Sequence, residues 1–250
     1  MDKKVVLVTG GASGIGLGVI EYLLSTNNYI VISMSKGSKH INEVKEKIQF
    51  KEVSFLQGDV TSEGDCKKVY DFIDKKYGKL DGLINSAGIV RRGGIEEQTL
   101  TEWNDSLNAN LTSMFLLVKT LLPLLKNGCN SSIINISSIS SKIPSGSISY
   151  ATSKAGVDML TKYLAKDLAK YNIRVNAINP GTIYSNIDIS AGSFTAEEYS
   201  ARLEAKKKDY PLKRLGNAKE DIGPMVELLL SDKSLWTTGA LFFIDGGVSI

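Results

Sequence analysis

The chain has 250 residues, with 30 Lys and Arg against 27 Asp and Glu, a net formal charge of +3 and 42% hydrophobic residues. At roughly 150 residues per domain, one large α/β domain fits this length and would bury about 70–75% of its unfolded surface. A single histidine, His40, excludes a multi-histidine metal site, and a charge of +3 is too weak to point to nucleic acid.

Cys66 and Cys129 stand alone, which excludes a disulfide framework and fits a reducing, cytoplasmic setting. The start, Met1 to Gly10, holds too short an apolar run for a signal peptide. The most apolar stretch, Ser113 to Leu125, contains Lys119 and Pro123, so no membrane association is expected.

The first predicted strand, Val5–Val8, runs through Thr9-Gly10-Gly11-Ala12-Ser13-Gly14-Ile15-Gly16 into a helix over Gly14–Ser25. Glycines at 10, 14 and 16 permit a tight turn and let backbone approach a pyrophosphate at the helix N-terminus. The spacing is GxxxGxG rather than GxGxxG, so a glycine-rich turn without a ligand stays open at this point. A second strand, Tyr29–Ser33, leads past Met34, Ser35 and Lys36 to a helix over Asn42–Ile48. The third strand, Val53–Leu56, is followed by Asp59-Val60 and a helix over Glu63–Tyr77. The fourth, Leu80–Asn85, is followed by Ser86-Ala87-Gly88 and then by Arg91 and Arg92. Asp59 at such a position can accept from an adenine amino group, and small residues at 86–88 let a ribose approach; helix capping and turn formation explain both segments equally well.

A long helical pattern over Thr101–Leu125 carries Asn110 internally, where a poor helix former can mark a kink with bound water. The fifth strand, Ile133–Ile136, ends in Ser137 and Ser138. The next helix, Ser149–Tyr171, places Tyr150 and Lys154 one turn apart on one face. A tyrosine hydroxyl titrates near pKa ~10, and a neighbouring ammonium favours its ionised form. The sixth strand is Ile173–Ile178, the last helix Lys219–Leu230 and the last strand Ala240–Ile244. Between them lies the longest break in the rhythm, Thr182 to Lys213, read as a substrate lid over 183–213, with a plain connecting loop as the alternative. Apolar runs alternating with helices predict βαβ units: a single-domain Rossmann fold over 1–250, with a doubly wound parallel sheet of about seven strands and helices on both faces.

Jointly, these residues resemble the short-chain dehydrogenase/reductase family over nearly the whole chain. The resemblance implies that Thr9 to Gly16 bind a cofactor pyrophosphate, involving Gly10, Ser13, Gly14, Ile15 and Gly16. It aligns Asn85, Ala87 and Gly88 with the family's NNAG segment, from which Ser86 departs. It implies a catalytic tetrad of Asn110, Ser138, Tyr150 and Lys154, with Tyr150 and Lys154 also at the cofactor. Pro180, Gly181 and Ile183 would line the nicotinamide side, and Asp245-Gly246-Gly247 matches the family's C-terminal signature. Ser138 to Tyr150 is 12 residues, one shorter than is usual in the family; strand register favours Ser138, and counting back from Tyr150 gives Ser137.

Relatives that prefer NAD carry an acidic residue where this chain has Met34. With no carboxylate to repel a 2′-phosphate and with Ser35 and Lys36 following, NADP(H) is favoured over NAD(H). The expected activity is hydride transfer with a small carbonyl or secondary alcohol: a 3-oxoacyl group, a keto-sugar or sugar acid, or a similar ketone. The alternative is a dinucleotide-binding sensor without chemistry. Arg91 and Arg92 resemble a run in sugar-acid dehydrogenases and read equally as solvated arginines. Lys206-Lys207-Lys208 can meet an acidic acyl carrier or form a solvated helix face. Tyr184, Ile187 and Phe194 are candidates for an apolar wall of the substrate pocket, and His40 is expected on the surface without catalytic work. The long apolar helices imply, by resemblance, a homotetramer.

Overall fold

A computed structural model describes residues 3–47, 53–184 and 195–250. Seven parallel strands form one sheet in the order β3-β2-β1-β4-β5-β6-β7: β1 Lys4–Thr9, β2 Tyr29–Ser35, β3 Val53–Gln57, β4 Gly82–Asn85, β5 Ser132–Ile136, β6 Arg174–Pro180 and β7 Leu241–Ile244. β1, β4, β5 and β6 are buried almost throughout, as their continuous apolar runs require when helices cover both faces. Two apolar layers result. One packs Leu7, Leu83 and Ile133 beneath Leu117, Leu121 and Leu168; the other packs Val6, Ile84 and Ile134 beneath Ile20, Leu23 and Val226.

Helices α1 (Gly14–Ser25) and α3 (Glu63–Tyr77) coincide with their predicted ranges, and Gly78 closes α3 in the left-handed conformation. α2 (Ser38–Lys47) begins earlier than predicted. The expected helix over Thr101–Leu125 is divided into α4 (Leu100–Leu107), a π-helical turn over Asn108–Thr112, and α5 (Ser113–Asn127). The Leu100–Asn127 run is long and apolar enough to cross a membrane by composition, yet its Leu117, Leu121, Leu124 and Leu125 are core residues. α6 (Ile148–Leu168) continues as a 3₁₀ turn to Tyr171.

Part of the interval read as a lid lies outside the described residues, including Ile187 and Phe194. The rest carries a helix that periodicity did not reveal, α7 (Ala196–Lys206), started by a reciprocal Thr195–Glu198 capping box. Its Tyr199 and Leu203 pack on Tyr210 and Leu215 as a small core separate from the sheet. The last predicted helix becomes a π turn over Ala218–Ile222 followed by α8 (Gly223–Leu230).

Candidate active site

The carboxyl ends of β1 and β4 form the switch point of the sheet, because the chain leaves β3 at one edge and re-enters beside β1. Gly10 (φ +68°) turns the chain there; a Cβ on it would stand 3.0 Å from the Ala87 backbone. A Cβ on Gly16 would lie 2.6 Å from the Gly10 carbonyl oxygen, so α1 starts hard against the turn. Ser13, the residue before α1, makes no side-chain cap, which leaves the first-turn N–H groups unclaimed by their own helix. Thr9 ties the two strand ends together: its hydroxyl accepts from the Ser86 and Ala87 N–H groups at 3.0 and 3.1 Å. Thr9 carried no role in the sequence reading beyond the motif, although its place opposite Ser86 and Ala87 is the signal.

From this turn a cavity of about 610 Å³ opens over the ends of β1, β2 and β3. Gly10, Ser13, Ser35, Asp59, Val60, Ala87 and Gly88 from the sequence assignment all line it. Met34, Lys36 and His40 join them at its β2 side, so the exposed His40 belongs to the rim of the site. Lys36 Nζ pairs with Asp59 Oδ2 at 2.7 Å, while Asp59 Oδ1 accepts from the Thr61 N–H and hydroxyl. Burial pushes the Asp59 carboxyl upward, but Lys36 and Thr61 outweigh it and hold Asp59 below the usual carboxylate range. The same pair raises the Lys36 ammonium. The Ser35 hydroxyl accepts the Ala12 N–H at 3.1 Å and so braces the glycine turn.

Two positions assigned to the cofactor point elsewhere. Asn85 is buried in the sheet, where its Nδ2 donates to Asn135 Oδ1 at 2.8 Å, and Asn135 donates on to Thr161. A polar ladder between β4, β5 and α6 is its visible role; periodicity could not distinguish this from a cleft residue. Ile183 packs its side chain into the core beside Gly216, leaving only its backbone for a ligand. Gly181 is fixed against Asp245, with its N–H bonded to the Ile244 carbonyl.

The second half of the site stands on α6. Ser147 caps the helix by accepting the Tyr150 N–H at 3.3 Å, which seats Tyr150 in the first turn. Ser149 holds α6 to α4 through Ser106, at 2.9 Å. One turn on, Lys154 is 4% exposed; its Nζ donates to the Ile136 carbonyl at 2.8 Å and lies 5.5 Å from the Tyr150 ring centre. Burial pushes its ammonium down to about 8, and the Asp158 charge opposes that. Asn110 sits fully buried in the π turn, the kind of helix defect found frequently at functional sites. Its carboxamide clasps Ile89, accepting the N–H at 2.8 Å and donating to the carbonyl at 3.0 Å, and also donates to Ser153. A Cβ at Gly88 would meet Asn110 Oδ1 at 2.9 Å, so Gly88 and Asn110 require one another. Ser153, which also donates to the Tyr150 carbonyl, is a supporting residue that the motif did not indicate.

The two candidate serines face different ways. Ser137 donates to the Lys154 carbonyl at 3.2 Å. Ser138 Oγ bonds Ser140 Oγ at 3.2 Å, and Ser140 bonds Ser145 at 2.9 Å. A Cβ at Gly146 would sit 3.5 Å from the Tyr150 ring and 4.0 Å from Ser140 Oγ, so Gly146 lies between the ring and the middle of this hydroxyl row. Arg91 follows at the cavity edge, paired with Asp105 at 3.3 Å. Of the lid lysines, Lys207 pairs with Glu204 on the surface.

Comparison with known proteins agrees with this arrangement. A family model described as enoyl-(acyl carrier protein) reductase matches residues 10–249. The chain is 31% identical to a 3-oxoacyl-[acyl-carrier-protein] reductase of Buchnera aphidicola, with 98% of this chain and 97% of that protein covered. It is 33% identical to glucose 1-dehydrogenase 2 of Bacillus subtilis, with 100% and 96% covered. Its fold superimposes on aldohexose dehydrogenase of Thermoplasma acidophilum with a TM-score of 0.88 and 29% identity, covering 99% of this chain and 94% of that one. A parallel sheet with a glycine turn at its switch point, Tyr150 and Lys154 on one helix, and similarity along the whole length establish that the chain belongs to the short-chain dehydrogenase/reductase family and is an oxidoreductase of that class.

Proposed function

We propose that the protein interconverts a small carbonyl compound and its secondary alcohol with NADP(H), and that Asn110, Ser138, Tyr150 and Lys154 form its reacting end. The observation that carries this reading is the buried Lys154 ammonium beside Tyr150, set behind Gly88 in the wall of the 610 Å³ cavity, where a Gly88 Cβ would stand 3.9 Å from Lys154 Nζ. The fit for a dinucleotide rests on the same cavity. Its glycine turn admits no Cβ, the first turn of α1 has no side-chain cap, and Asp59 and Lys36 stand at the adenosine end. Gly10, Ser13 to Gly16, Ala87, Gly88 and the Pro180-Gly181 backbone would hold it. A bound nicotinamide supplies or accepts hydride.

The chain's own residues handle the proton. Tyr150 gives its hydroxyl proton to the substrate oxygen in reduction and takes it back in oxidation. Lys154 favours the phenolate that this leaves. Ser138 donates to the substrate oxygen; its hydroxyl bonds only its neighbour Ser140 among the described residues, whereas Ser137 is committed to the Lys154 carbonyl on α6. Asn110, with its carboxamide engaged by Ile89 and Ser153, shapes the π turn beside Gly88.

A hydroxylated substrate, a keto-sugar or sugar acid, suits the Ser138-Ser140-Ser145 row and the Arg91 guanidinium. The similarity to a 3-oxoacyl-[acyl-carrier-protein] reductase supports a 3-oxoacyl group as the second reading. The lone cysteines support a cytoplasmic setting. Phe115, Met159 and Tyr163, apolar and more than half exposed on α5 and α6, support a homotetramer.

The test is a panel of keto-sugars, sugar acids, polyols and 3-oxoacyl thioesters read by nicotinamide absorbance with both cofactors. Turnover with NADPH on a hydroxylated substrate is expected. Cofactor binding without turnover on any compound would favour the sensor, and a tenfold advantage of NADH would overturn the cofactor assignment.

A further inference from the structure

On the face of α6 that carries Tyr150 and Lys154, the next turn presents Asp158. Its carboxylate is held by β6: Asn179 Nδ2 reaches Asp158 Oδ1 at 3.0 Å and Oδ2 at 3.1 Å. The same amide nitrogen lies 3.2 Å from the Ser138 carbonyl and 3.0 Å from Ser141 Oγ, which itself donates to the Ser138 carbonyl at 2.8 Å. Asn179 is fully buried, and its two amide hydrogens are shared between the Asp158 carboxylate and the Ser138–Ser141 side. One carboxylate therefore anchors a carboxamide that clamps the main chain of Ser138. We propose that Asp158, acting through Asn179, is a positioning residue for the reaction: it fixes Ser138 and supplies the negative charge one helical turn from Lys154. This rests on the catalytic reading above.

The other charged groups that face α6 are engaged elsewhere or lie farther off. Glu102 on α4 is engaged in the Thr99 capping box, and Asp105 on α4 pairs with Arg91. Arg174 on β6 donates to Ser234 and the Leu229 carbonyl, and Lys142, after the 139–141 turn, donates to the Ser249 carbonyl. The π turn carries no charge. On α6 itself Lys162, Lys166 and Asp167 lie two or more turns from Lys154, and Asp167 pairs with Lys170. Asp158 is thus the carboxylate that opposes the cost of burying Lys154. It does so through space: residues four apart on a helix lie about 5–6 Å apart at Cβ, and Lys before Asp is the weaker order for a direct pair.

The experiment compares Asp158→Asn, Asp158→Glu and Ser141→Ala with the wild-type protein. In the cofactor-free protein, NMR of ε-carbon-labelled lysine, with Lys154 assigned through Lys154→Met, should give a midpoint near 8. Asp158→Asn is expected to lower that midpoint by about one unit, and Asp158→Glu to restore it. The alkaline limb of kcat should move with it, so kcat at pH 8 falls about fivefold from the charge alone while KM changes little. Ser141→Ala, with the charge intact, should leave the midpoint in place and lower kcat about threefold through Ser138.

An unmoved midpoint in Asp158→Asn overturns the charge role, and a wild-type kcat in Ser141→Ala overturns the positioning of Ser138. If Asp158→Asn does not fold, Asp158→Glu and Ser141→Ala still decide: a midpoint displaced in Asp158→Glu as far as one unit would refute the charge role. Tyr150→Phe separates a failure of the catalytic site from a failure of Asp158 alone. Turnover surviving in Tyr150→Phe defeats the catalytic reading itself; its loss, beside a fully active Asp158→Asn, defeats only this proposal.

Discussion

Lys36 lines the cleft and Lys154 lies buried behind its Gly88 wall, and their surroundings are opposite. Lys36 is 81% exposed at its side chain and touches a carboxylate at 2.7 Å; Lys154 is 4% exposed and donates to a carbonyl. Contact with Asp59 raises the first ammonium, and burial lowers the second to about 8. An exposed ion pair is worth little, because water screens it and the flexible stem must be ordered. A buried ammonium is costly to hold and responds strongly to each nearby charge. The Lys36 side of the cleft is therefore easily altered by solvent and salt, and the α6 side electrostatically fixed.

The sharpest way to break this contrast is to remove the buried lysine. Lys154→Met should lower kcat by about a hundredfold or more, the scale of a lost proton-transfer component, while the dissociation constant for NADPH, read by fluorescence, rises much less. A kcat within threefold of wild type would show that Lys154 is a core lysine and nothing more.

Stability supplies the second test, and its sign can be worked out. The unfolded chain keeps the Lys154 proton up to about 10.5, whereas the folded protein releases it from about 8. Between those values the unfolded state binds more protons, so this group makes folding more favourable as pH rises. Below 8 the full penalty applies, about 3 kcal/mol. Urea unfolding of Lys154→Met against wild type should therefore show the variant gaining most at pH 7 and losing that relative gain toward pH 10. The Cys66 thiol, pushed up to about 11 by burial, works in the opposite direction but is common to both proteins. A stability difference independent of pH would contradict the assignment.

What the amino-acid pattern made legible follows the same division. Continuous β-branched runs and the glycine turn located the strands and the switch point, because burial on both faces and positive φ leave few residue choices. Tyr150, Lys154 and Gly88 were legible as a motif. Asn85, Ile183 and Asn179 show where the pattern stops: a buried carboxamide and a cleft carboxamide read alike, and only the register of β4 on β5 turns Asn85 toward Asn135. The π turn at Asn108–Thr112 was legible only as an ill-suited asparagine, since a one-residue expansion leaves the hydrophobic spacing nearly intact. Helix α7 escaped because its buried partners, Tyr210 and Leu215, follow it in the chain and are not in the sheet.

The smallest expected effect concerns Lys36. Asp59 already occupies its ammonium, so a 2′-phosphate must compete for it in water, and a charge-assisted contact there contributes about 1–2 kcal/mol. Lys36→Ala should weaken NADPH binding about tenfold and leave NADH binding within twofold, and raising the salt concentration should shrink the difference between wild type and variant. Asp59→Asn sharpens the point from the other side, because it frees Lys36 from its partner while keeping a hydrogen-bonding side chain: the ratio of NADPH to NADH affinity should rise. An equal loss of both cofactors in Lys36→Ala would place the ammonium at a feature they share and not at the 2′-phosphate.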